Sequence, residues 1–84
     1  MIDLALEIAA KAHLKQLRKG TDIPYITHPV SVGFILTAAG CEEELVAAGL
    51  LHDTVEDASI SLEFIKEKFG ERVAEIVKGC SEPD

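Results

Sequence analysis

Leu50-Leu51-His52-Asp53-Thr54-Val55-Glu56-Asp57 is the stretch on which the reading of this chain turns. With helical residues about 100° apart, Glu56 falls about 40°, Asp53 about 100° and Asp57 about 140° from His52, so four ionisable groups share one sector. Leu45 and Val46 project into the same sector from earlier turns, so it is not simply a solvated face. Gly49 lies there too, leaving room for something to approach the backbone. Three carboxylates beside a histidine repel one another and resist burial unless a cation or a proton compensates them. A divalent metal is the economical compensation. The plain alternative is an exposed, frayed helix end whose acidic cluster is merely solvated.

Working outward, the surrounding chain reads as short helices in series. Leu45, Val46, Ala48, Leu50, Leu51 and Val55 continue the helix back towards Glu42-Glu43-Glu44, whose carboxylates suit the positive end of its dipole. An earlier helix begins at His28 or Pro29, since proline suits the first turn, and Gly40 stops it. Its expected apolar face is Val32, Ile35, Leu36 and Ala39. The first helix is expected over residues 2–17, on Leu4, Ile8 and Ala12 with Ala5 and Ala9 beside them, and residues 18–27 form a loop broken by Gly20, Asp22 and Pro24. After the octapeptide, Ser61 is the expected N-cap of a fourth helix ended by Gly70, and a fifth is expected over residues 71–78, stopped by Gly79. No segment alternates with period two. The fold class is all-α, a compact bundle of about five short helices in one domain.

Composition agrees. The 84 residues suffice for one domain and bury only about 60 to 65% of the surface the unfolded chain exposes. Apolar residues make up 48% and aromatics 5%, and ten alanines favour closely packed helices over an aromatic-rich sandwich. The net charge of −7 argues against a nucleic-acid partner, which needs a cationic surface. All four bases before His28, namely Lys11, Lys15, Arg18 and Lys19, fall within nine residues, so a small anionic ligand remains compatible. Residues 23–41 lack acids, lysine and arginine but contain Pro24, His28, Pro29 and Gly33, a poor membrane span. Cys41 and Cys80 show no CxxC spacing and the N-terminus has no signal-peptide order, which reads as a reduced cytoplasmic protein.

His28 strengthens the metal reading. A histidine at the start of one packed helix can meet the histidine and aspartate late in the next, and two imidazoles with one carboxylate suit Mn²⁺, Fe²⁺ or Zn²⁺. His13, on the first helix beside Ala9 and Ala12, is read as packed or exposed and outside the site. Tyr25 is read either as a nucleobase stacker or as a packing anchor.

Arg18-Lys19, Pro24-Tyr25-Ile26-Thr27-His28-Pro29, the LLHDTVED octapeptide and Phe69-Gly70, in this order, resemble the HD metal-dependent phosphohydrolase superfamily. More narrowly, they resemble the hydrolase domain of RelA/SpoT-type enzymes, and the likeness extends over essentially the whole chain. It implies hydrolysis of guanosine tetraphosphate or pentaphosphate at the 3′-diphosphate, giving pyrophosphate and GDP or GTP, with Mn²⁺. By motif position it implies His28, His52 and Asp53 as metal ligands, Glu56 and Asp57 as the catalytic pair acting on the attacking water, and Arg18 and Lys19 as nucleotide-site residues. Members of the family carry a further aspartate ligand beyond the length of this chain. The 84 residues are therefore expected to be the first half of such a domain, with weak or absent activity alone and a tendency to self-associate through uncovered apolar surface. The alternatives are an HD-type hydrolase for another nucleotide or phosphoester, and a non-catalytic helical interaction module.

Overall fold

The computed structural model describes residues 1–57 and 60–81, except for the side chains of Glu56, Asp57 and Ser81. Its elements are α1 (Ile2–Ala12), α2 (Thr27–Ala38), α3 (Glu43–Asp57), α4 (Leu62–Phe69) and α5 (Glu71–Ser81). The all-α expectation holds. No helix among the described residues is long and apolar enough to cross a membrane.

The centre of the fold is α3, which packs against α1, α2 and α5, while α4 lies against α5. Val46, Ala47, Ala48, Leu50, Leu51 and Thr54 of α3 are all buried, so this helix is covered on most of its circumference. Small residues make that possible. Ala5 and Ala9 of α1 are fully buried, and α2 turns Pro29 and Gly33 inward. A Cβ built on Gly33 would lie 2.8 Å from Leu50 Cδ2, and one on Gly49 would lie 2.7 Å from Leu36 Cδ1 and 3.2 Å from Val32 Cγ1. The two helices therefore interlock reciprocally, a glycine of each receiving side chains of the other. Ile65, Phe69, Val73 and Val77 complete the core from α4 and α5.

The helix ends follow local chemistry. Ser61 accepts a hydrogen bond from Phe64 N at 3.0 Å, capping α4 as expected. Gly40 takes φ 79°, and the bonds from Gly40 N to Thr37 O and from Cys41 N to Leu36 O form a Schellman ending to α2.

Three expectations need correction. The first helix ends at Ala12 rather than near residue 17, because Arg18 N donates to Ile23 O and Tyr25 N to Gln16 O. Those bonds, with the Leu17–Pro24 bridge, fold residues 13–25 back on themselves and consume donors that a longer helix would need. Second, Ile35 is 64% exposed and Ala39 is exposed, so the inward face of α2 is Pro29, Val32, Gly33 and Leu36. A glycine carries no hydrophobic signal, yet Gly33 marks the face that α3 approaches most closely. Third, Gly79 does not stop α5, which runs on to Ser81. A helical glycine costs about 1 kcal/mol relative to alanine, a bearable loss in a helix anchored by buried Val73 and Val77.

Two outcomes test this account. Gly49→Val should lower the urea-unfolding free energy by about 1–3 kcal/mol through overpacking against Leu36 and Val32. Ser61→Ala should cost about 1 kcal/mol by the same measurement, through the lost cap.

Candidate metal centre

Interlocking of α2 and α3 brings the first turn of one to the last turns of the other. His28 is the second residue of α2, directly before buried Pro29, and His52 and Asp53 are on α3. The Asp53 carboxylate lies between the imidazoles, with Oδ2 3.4 Å from His28 Nε2 and Oδ1 3.2 Å from His52 Nε2. The two rings meet edge to face, their centroids 5.9 Å apart. One ligand atom from each of the three residues lies within 4.8 Å of the others, close enough for the three to form a candidate cation site.

The hydrogen bonding of His52 determines its chemistry. Its Nδ1 is 2.8 Å from the carbonyl oxygen of Gly49, which can only accept, so Nδ1 carries the proton and the neutral ring presents a lone pair at Nε2. That lone pair faces Asp53 Oδ1, another acceptor. Two acceptors this close repel until a cation or a further proton sits with them. The Asp53 side chain is only 18% exposed, and its ion-pair partners among the described residues are the two imidazoles, with no lysine or arginine. The donor set therefore fits a divalent cation.

A third contact was not legible as a site contact. The Tyr25 hydroxyl donates to Asp53 Oδ2 at 2.7 Å, and its ring meets His28 edge to face at 5.8 Å. Its place three residues before His28 was the available signal, but only the fold-back of residues 13–25 turns the phenol towards α3. Behind it, His13 is 1% exposed, its ring centroid 4.7 Å from that of Tyr25 and its Nδ1 2.8 Å from Gln16 Oε1. Thus His13 packs behind the tyrosine rather than joining the cluster.

Arg18 and Lys19 are exposed on the same loop, and no ion pair among the described residues joins them to the cluster. Glu56 and Asp57 lie on the last turn of α3, but their side chains are outside the described residues. His28 and His52 also line a cleft of about 430 Å³ shared with Leu36, Leu45, Ile76 and Cys80.

Comparison with known proteins follows the same lines. The family model described as HD domain matches residues 5–84. A guanosine-3′,5′-bis(diphosphate) 3′-pyrophosphohydrolase of Aquifex aeolicus is 48% identical over 80 residues, 95% of this chain and 11% of that protein. A probable GTP pyrophosphokinase of Mycobacterium leprae is 43% identical over 84 residues, 100% of this chain and 10% of that protein. The bifunctional (p)ppGpp synthase/hydrolase SpoT of Escherichia coli is 42% identical over 77 residues, 92% of this chain and 11% of that protein. The chain thus spans about a tenth of the length of these curated relatives.

Proposed function

The chain belongs to the HD domain family, and on that premise we propose that His28, His52 and Asp53 hold a divalent cation, Mn²⁺ first among candidates, for hydrolysis of guanosine 3′-diphosphate 5′-di- or triphosphate to pyrophosphate and GDP or GTP. The observation carrying this reading is the convergence of His28, His52 and Asp53, with His52 Nδ1 held by the Gly49 carbonyl and its Nε2 3.2 Å from Asp53 Oδ1. The substrate is drawn from the printed names of the Aquifex and Escherichia relatives. A bound cation supplies Lewis-acid polarisation of water and neutralises charge on the phosphate.

In this reading the remaining roles fall to the chain's own side chains. Glu56, one helical turn after His52, takes the proton of the attacking water, and Asp57 orients that water. Water adds at the phosphorus bonded to the ribose 3′ oxygen, the P–O bond breaks and the 3′ oxygen leaves with a proton. Arg18 and Lys19, on the exposed loop before Tyr25, grip the phosphates as the ligand settles, guanidinium offering two parallel donors and ammonium a point charge. The free thiols Cys41 and Cys80 suit a reducing cytoplasm. Self-association is part of the same proposal: Phe34 is 73% exposed beside a shallow apolar groove of about 210 Å³ that includes Leu6 and Val30.

The complete gene product, given Mn²⁺ and guanosine tetraphosphate, should release pyrophosphate, and Asp53→Ala should slow this by at least about a hundredfold, since losing a ligand exceeds the 10–100-fold typical of its supports. No turnover by the complete product would remove the assignment, and turnover of other phosphoesters alone would move it to a different HD substrate. Light scattering of the 84-residue chain should give a mass above that of a monomer, restored to monomer by Phe34→Asp.

A further inference from the structure

Tyr25 holds the Asp53 carboxylate through a network that begins on α1. Gln16 grips two groups at once: its backbone carbonyl accepts Tyr25 N–H at 2.7 Å, and its side-chain oxygen lies 2.8 Å from His13 Nδ1. The His13 ring, buried to 1% exposure, backs the tyrosine ring at 4.7 Å. With backbone and ring both fixed, the phenol reaches Asp53 Oδ2 at 2.7 Å, the short distance of a charge-assisted O–H···O⁻ bond.

We propose that Tyr25 is a positioning residue of the His28–His52–Asp53 cluster, setting the rotation of the Asp53 carboxylate so that each oxygen faces one imidazole. The proposal rests on the metal reading above. An aspartate side chain turns freely about its last bond, and the broad torsion there gives no intrinsic preference for this orientation. The phenol occupies an acceptor site on Oδ2 and so leaves Oδ1 as the oxygen turned to His52 Nε2, 3.2 Å away. Without it, the carboxylate would be ordered by the imidazoles and the cation alone, at a cost to affinity. His13 and Gln16 act one step further back, by holding the ring that holds the carboxylate.

Tyr25 is the sole tyrosine, and the chain has no tryptophan, so its emission reports the surroundings of this one phenol. In the metal-free chain, Asp53→Asn should raise tyrosine fluorescence, because a phenol bonded to a carboxylate is quenched. Unchanged emission would overturn the hydrogen bond and with it the proposal. Calorimetric titration with Mn²⁺ supplies the second arm. Tyr25→Phe keeps the ring against His13, so it should leave the thermal unfolding midpoint of the metal-free chain nearly unmoved while weakening Mn²⁺ binding 10–100-fold. Wild-type affinity in Tyr25→Phe would sink the positioning role and leave the metal reading standing. If wild type itself takes up no Mn²⁺, the metal reading falls and the positioning role falls with it.

Discussion

Everything at the candidate centre depends on how closely α2 and α3 approach. At Gly33 and Gly49 the neighbouring leucine carbons lie only 2.8 and 2.7 Å from where a Cβ would be. A single glycine would permit one close contact, but a glycine on each helix fixes both the separation of the axes and the register along them. With register fixed, the first turn of α2 must lie beside the late turns of α3. His28 then meets His52 and Asp53 without any further device. The same glycine serves twice, since the Gly49 carbonyl holds His52 Nδ1 and turns Nε2 towards the carboxylate.

The interlock concentrates an electrostatic cost. Three donors of electron pairs share a half-buried space, with Asp53 18% exposed and, among the described residues, paired to the two imidazoles but to no lysine or arginine. The phenol of Tyr25 relieves part of this by donating to Oδ2, but one neutral donor does not neutralise a charge. Such a donor set is one that a divalent cation fits.

Much of this was legible because helices declare themselves locally. The apolar spacing of α3, the Ser61 cap and the glycines at positions 40 and 70 are short-range signals, and each corresponds to an observed helix end or face. His28, His52 and Asp53 could be grouped because consecutive helices joined by a tight stop must pack side by side. What escaped was tertiary. The fold-back of residues 13–25 depends on backbone bonds between Arg18 and Ile23 and between Gln16 and Tyr25, pairings without periodicity. Missing that loop meant missing the direction of Tyr25. The inward face of α2 was misjudged by the related blindness to glycine, whose contribution is the side chain it lacks.

The octapeptide makes sense once its directions are separated. Leu50 faces Gly33 of α2, Leu51 and Thr54 face the core with no measurable exposure, and His52 and Asp53 face the cluster. A helix enclosed on most sides has little room for charge, and the sequence places His52 and Asp53 in the sector left open. Thr54 marks the boundary between the two regimes. It has the branched bulk of valine for the core, and its hydroxyl is satisfied internally by the Leu51 carbonyl at 2.6 Å. Because that hydroxyl is already spent, Thr54 neither adds an unpaired polar group to the core nor competes with Tyr25 for Asp53. The carboxylate is thereby left to the phenol and the two imidazoles.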